Sequence, residues 1–254
     1  ALRKLGVIGP ASLPAVPQLI KLLKHPDGFV RMGAVYALGA TGATGDPLLK
    51  ALIPVVKDEY NYAAQIAGRT VSAMGPAALP ALPALIEMLD GPAREIQQPA
   101  LKAIAGIGPA AAPAVPHILR NWPGRNWMPG YLWVEPLAAI GPGAKEAVPM
   151  LEQFRKDRSA RAQRYRKNYS IDATALNALY RIRRSPEDLR ELVDLIGGVG
   201  GGPRDAGKAL AFLEKLGKDA KDAAPQVREL LAKGSLSDEA RKRLEGVLRS
   251  MAGK

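Results

Sequence analysis

A period constrains this chain more than any other feature. Gly9, Gly42, Gly75, Gly108 and Gly141 follow one another at intervals of 33 residues. Most of them open closely similar stretches: "IGPASLPAVPQLIKLL" from Ile8, "MGPAALPALPALIEML" from Met74, "IGPAAAPAVPHIL" from Ile107 and "IGPGAKEAVPMLEQF" from Ile140. "TGATGDPLLKALIPVV" supplies Gly42 in the gap, and a worn later copy, "LGKDAKDAAPQVRELL", carries Gly217 in the same role. A unit this short has too little volume to bury its own apolar side chains, so successive units must stack on one another.

Each period reads as two helices. Before the glycine lies an apolar-periodic segment such as "GFVRMGAVYALGATG", and after it a second, such as "LPAVPQLIKLLK". Spacings of three and four between apolar residues are those of helices with one buried face. The glycine supplies a left-handed residue that ends the first helix, and the proline after it blocks continuation. The next two prolines fall where the second helix begins, among backbone N–H groups that have no intrahelical partner to lose. An inner proline should bend the first turn where the helix has already started. Ser185-Pro186-Glu187-Asp188 reads as a further helix start, with a capping serine, proline in the first turn and acids facing the helix dipole. In the last segment, Leu236, Ala240, Leu244, Val247, Leu248 and Met251 share one stripe, as a terminal capping helix requires.

The stretch "DGFVRMGAVYALGATG" at 27–42 resembles the HEAT-repeat family of the short bacterial type, with Asp27, Val30 and Arg31 at that family's Asp–Val–Arg positions. The Gly-Pro…Ala-Val-Pro-x-Leu segments add to the resemblance, which is good over residues 1–150 and weaker, but expected to stay in phase, over 151–254. It implies an all-α chain, a right-handed alpha-alpha superhelix of about seven helix pairs forming a single solenoid over 1–254. Copies such as "YNYAAQIAGRTVSAMG" lack the Asp–Arg pair, which argues against a polar ladder between repeats there. The opening "ALRKLGVIG" reads as the last turns of a first-type helix, so a longer chain or a partner is expected to cover the N-terminal face.

Catalytic arrangements are scarce. The chain has no cysteine, and its two histidines, His25 and His117, lack neighbours at metal-ligand spacing, so both read as structural. "GGVGGGPR" at 197–204 follows no strand and leads to no Gly-Lys-Ser/Thr, so it reads as a turn. Carboxylates such as Asp58, Glu59, Glu87 and Asp90 sit at helix ends, where solvated charge is the expectation. The expectation is a protein without enzymatic activity, cofactor or metal. No apolar run is long enough to span a bilayer, which favours a soluble chain; a cytoplasmic location is preferred and an exported form stays open.

Two stretches depart from the period. "NWPGRNWMPGYLW" at 121–133 holds all three tryptophans, so Trp122, Arg125, Trp127, Tyr131 and Trp133 are candidate partner contacts, because such residues dominate binding hot spots. The competing reading has these tryptophans covering a thin alanine-rich core. "RKDRSARAQRYRKNYS" at 155–170 is a basic insert, in which Arg155, Lys156, Arg158, Arg161, Arg164, Tyr165, Arg166, Lys167 and Tyr169 are candidate contacts. Ten Lys/Arg against two Asp over 155–184 carry +8 of the chain's +12. The expected function is a protein–protein scaffold or adaptor, as the resemblance implies, within a larger assembly or a longer chain. The alternative is nucleic-acid or other polyanion binding through the basic region. HEAT-like alkylpurine DNA glycosylases carry similar repeats, but their pocket of aromatics with a catalytic carboxylate does not map onto this sequence; phycobilin lyases also have similar repeats, and beyond those repeats the sequence offers no sign of a chromophore role.

Overall fold

A computed structural model describes residues 7–58, 61–91, 96–122, 131–162, 171–199, 203–233 and 236–253. The described residues are all-α with no strand, and they fall into two compact units, 1–143 and 144–254.

In the first unit, helices α1 (Val16–Leu22), α3 (Asp46–Val56), α5 (Leu82–Asp90) and α7 (Val115–Arg120) alternate with α2 (Gly28–Thr41), α4 (Asn61–Ala73), α6 (Gln97–Ile107) and α8 (Tyr131–Ile140). The second set packs side by side in one layer, α2 on α4, α4 on α6 and α6 on α8. The core lies between this layer and the first set, and Val35, Leu38, Leu52, Val71, Leu89, Ile104, Ile107 and Ile118 are almost wholly excluded from water. Alanine fills much of the space between layers, including Ala34, Ala37, Ala63, Ala67, Ala100 and Ala103. Small side chains let the α2–α4–α6 backbones approach closely. A Cβ placed on Gly106 would lie 2.3 Å from the Ser72 carbonyl oxygen, and one on Gly68 would lie 2.7 Å from Pro99.

The corner glycines adopt the backbone that only glycine holds at little cost. Gly9, Gly42, Gly75, Gly108, Gly141 and Gly217 have φ between 50° and 74°. Most of these glycines lead directly into a stretch of tighter helix ahead of the second α-helix. Gly9–Ala15, Gly75–Ala81, Gly108–Ala114, Gly141–Ala147 and Gly217–Ala223 are short 3-10 helices. Pro14, Pro80 and Pro113 lie inside these segments, and the next proline opens the α-helix proper. The tighter i to i+3 winding holds only for a few residues. Here a proline without an N–H sits where the looser α winding has yet to begin, so the bend expected in the second helix becomes a separate segment.

In the second unit, α9 (Val148–Ala162) precedes α10 (Ile171–Arg183), α11 (Pro186–Ile196), α12 (Pro203–Leu216), α13 (Ala224–Ala232) and α14 (Asp238–Met251). α9 runs on through Ala162, so the first half of the basic stretch continues a helix. Ser185 caps α11 through the Glu187 N–H, as its sequence indicates. α14 buries Leu244, Val247 and Met251, with Leu236, Ala240 and Leu248 partly covered against the same cluster. Gly217 falls ten residues beyond two full periods from Gly141, so the register slips in this unit.

Candidate interaction surface

Charged side chains join successive repeats, contrary to the expectation of a broken polar ladder. Arg31 Nε and Nη2 grip both carboxylate oxygens of Asp58 at 2.5 and 2.7 Å, and its Nη1 donates to the carbonyls of His25 and Pro26. Lys57 pairs with Glu87 at 2.9 Å. Asp90 takes His117 Nδ1 at 2.6 Å and Asn121 Nδ2 at 2.7 Å, with Arg120 at 3.5 Å. Burial pushes the Asp90 carboxyl up, but these hydrogen bonds and the charges of His117 and Arg120 outweigh it and hold the group below its ordinary value. His117 and three carboxylates read from sequence as isolated are therefore inter-repeat ties, with different residues replacing the missing Asp–Arg pair.

The second unit builds a stronger version. Asp188 is wholly buried, and Arg183 donates to both of its oxygens from Nε and Nη2 at 2.8 and 2.7 Å. The remaining nitrogen, Nη1, reaches Glu152 at 2.6 Å. The Asp188 hydrogen bonds, against the cost of burial and with help from Glu152, push the guanidinium pKa further up. Asp188 stands in the first turn of α11, as its sequence indicates, and is also an internal anchor.

The residues singled out from sequence divide three ways. Arg125, Trp127, Arg164, Tyr165, Arg166, Lys167 and Tyr169 lie outside the described residues. Tyr131 opens α8, and Arg158 and Arg161 belong to the last turns of α9. Of the rest, Trp133 is 0% exposed and meets Trp122 edge to face, with ring centroids 6.3 Å apart. Trp133 thus fills the core of the first unit rather than presenting its ring to solvent. Its indole N–H is buried without a hydrogen-bond partner among the described residues. Arg155 is half-buried and paired with Glu191, while Lys156 is exposed.

An aromatic face that sequence reasoning passed over lies on the α2–α4–α6 layer. Phe29 is 66% exposed, Tyr36 50% and Tyr62 64%, whereas apolar residues of this size are otherwise mostly inside. Phe29 and Tyr36 stand seven residues apart, two turns along one face of α2. Tyr62 is the 33-residue counterpart of Phe29 on α4, and Arg69 and Lys102 are the counterparts of Tyr36 on α4 and α6. The next row toward the helix C-termini is Gly39, Ser72 and Ala105, a floor without long side chains. The signal was present in the sequence as aromatic residues recurring at the repeat period.

The described residues hold no group of His, Asp and Glu suited to a metal ion, and no helix among them is long and apolar enough to cross a membrane. A shallow depression of about 550 Å³ lies at Lys218, Lys221 and Met251, open to solvent.

No family model and no curated protein matches the chain. Among solved structures, the complex of CpcE and CpcF of phycocyanin lyase from Nostoc sp. PCC7120 contains a similar chain. The likeness covers 93% of this chain and 94% of that one, at 22% identity and a TM-score of 0.62, and it shows the fold. The crystal structure of an engineered protein matches more loosely, at 17% identity over 94% of this chain and 96% of that one, with a TM-score of 0.42. The first comparison corrects the expectation of a protein without enzymatic activity. A chain of similar fold belongs to a lyase complex, so this architecture by itself carries no argument against enzymatic chemistry.

Proposed function

We propose that this chain is a protein-binding subunit that holds a second polypeptide on the outer face of α2, α4 and α6. The observation that carries the reading is the exposure of Phe29, Tyr36 and Tyr62 on one face at the repeat period. Leaving half to two-thirds of each of these side chains exposed forgoes part of the roughly 1.5–3 kcal/mol that full burial of a Phe-sized side chain would bring. Clusters of exposed aromatic residues are characteristic of binding hot spots, whose contribution comes from desolvation by a partner. The similar chain in a two-protein complex supports this reading at the level of the fold.

Trp122, Arg125, Trp127 and Tyr131, without the buried Trp133, and the basic stretch 155–170 remain proposed as further contact regions, each within its own unit. Polyanion binding has less support than protein binding. Arg155, Arg183 and Arg184 are already paired with Glu191, Asp188, Glu152 and Asp219, so part of the +8 over 155–184 is neutralised internally. A second functional reading, that the held polypeptide is phycocyanin-like and the chain contributes to its modification, is favoured by the lyase to which the similar chain belongs.

The test compares affinity capture by the wild-type chain with capture by Phe29→Ser/Tyr62→Ser, both quantified by mass spectrometry. A partner retained by wild type and lost from the variant, at an unchanged urea midpoint, is the expected result. Equal retention would reject the surface. Adding purified phycocyanin subunits as bait addresses the second reading, which fails if they do not bind.

A further inference from the structure

The aromatic face has a distinct charge. Arg69 is exposed and Lys102 half-buried, side by side in the repeat register on α4 and α6. Among the described residues neither has an ion-pair or hydrogen-bond partner. Of the other cations of this unit, Arg31, Lys57 and Arg120 are held by carboxylates, while Lys21, Lys24 and Lys50 are exposed without such a tie but stand on α1, just after it and on α3, away from the aromatic residues. In the same row the first acid is Glu135 on α8, beyond Lys102. The layer therefore presents rings at one level, two uncompensated cations at the next where Tyr36 also stands, and the small floor of Gly39, Ser72 and Ala105 beyond them.

We infer that this face takes an acidic polypeptide segment with interleaved apolar side chains, lying across α2, α4 and α6. The inference rests on the protein-binding reading above and adds the chemistry of the guest. The floor admits a guest backbone or a small side chain close to the helices, where a long side chain would hold it off. Above it Arg69 and Lys102 meet carboxylates, and Phe29 and Tyr62 desolvate against apolar residues of the guest. Neighbouring packed helices are about 8–10 Å apart. An extended guest advances about 3.3 Å per residue, so roughly three residues separate the side chain that meets Arg69 from the one that meets Lys102. Two cations on successive helices fall short of the basic groove with which single-stranded nucleic acids are tracked. Complementary charge fixes the register of such a guest and speeds encounter more than it adds affinity.

The probe is a fluorescein-labelled peptide of glutamate pairs alternating with leucine, titrated with the full chain and read by anisotropy. Saturable binding is expected, weakening with added salt and absent when lysine replaces glutamate in the peptide. Arg69→Gln/Lys102→Gln should weaken it roughly tenfold, the loss of two partly exposed ion pairs at the favourable end of their range. Phe29→Ser/Tyr62→Ser should weaken it at least as much. Lys21→Gln/Lys24→Gln, which removes two exposed cations of the same unit away from this face, should leave it unchanged. The inference is overturned by any of three results: no saturable binding by wild type, an equal loss in the Lys21/Lys24 control, or oligothymidylate displacing the peptide at equal or lower concentration. Partner capture separates this inference from the reading beneath it. If capture depends on Phe29 and Tyr62 but ignores Arg69 and Lys102, the acidic guest is rejected and the protein-binding reading stands. If neither pair matters, both are rejected.

Discussion

Replacing Asp188 with alanine probes the strongest internal tie in the second unit. Its carboxylate is fully buried, and Arg183 donates to both oxygens at 2.8 and 2.7 Å. Breaking a buried pair from one side leaves the other charge uncompensated, at a cost of roughly 3–5 kcal/mol. Arg183 is 33% exposed and keeps Glu152 at 2.6 Å, so its guanidinium is partly rehydrated and the lower end of that range applies. A loss of about 3 kcal/mol corresponds to a fall of roughly 6–12 °C in Tm at the 2–4 °C per kcal/mol of chains this long. Urea unfolding followed by circular dichroism should show a lower midpoint with an unchanged slope. The double variant Arg183→Met/Asp188→Leu should recover at least half of the loss, because apolar replacement of the whole pair removes the stranded charge as well. If Asp188→Ala costs less than about 1 kcal/mol, the pair behaves like an exposed ion pair and the burial argument is wrong.

Gly106→Ala and Gly42→Ala separate two uses of glycine. The first drives a methyl to 2.3 Å from the Ser72 carbonyl and should cost about 1–3 kcal/mol or more by overpacking. The second meets nothing within 4 Å but keeps φ at +67°, so about 1–2 kcal/mol of backbone strain is expected; the order of the two urea midpoints checks this. Trp133→Ala should cost about 3–5 kcal/mol and change the near-ultraviolet dichroism of Trp122, which loses its edge-to-face partner. For pH, hydrogen bonds from Arg243 hold Glu214 below its ordinary 4.5, while at Asp90 burial raises the carboxyl and His117 and Asn121 bring it below 3.8. Both carboxyls bind protons more readily when unfolded, so their stabilisation is complete above the unfolded values and is lost as pH falls from about 4.5 through the folded ones. Asp90→Asn and Glu214→Gln should flatten that acid limb of a Tm-against-pH curve.

Much of the architecture was legible because it is enforced locally. A glycine every 33 residues, followed by proline, ends a helix through backbone sterics alone, and φ at Gly9, Gly75, Gly108 and Gly141 bears this out. The capping serine at 185 and the apolar stripe of α14 are equally local. The 3-10 segments were harder to foresee, because two prolines three residues apart suit either a bent α-turn or the tighter winding. Of the two readings of the tryptophans, the one that has them cover the core holds for Trp133, whereas the exposed rings of α2 and α4 had no mark in the sequence beyond their spacing. Trp133 is unusual in this sequence and stands in the core, while Phe29 and Tyr62 look ordinary and stand in solvent.

Composition and period determined that the chain is all helix, that the helices come in pairs, and where the pairs turn, since each of these is set by residues within a few positions of one another. Tertiary structure alone decided which charges meet and which rings stay outside. Asp90 finds His117, and Arg31 finds Asp58, across 27 residues of chain. Such partners become neighbours only when one helix pair is laid against the next, and no local rule states which side of a helix that packing will cover.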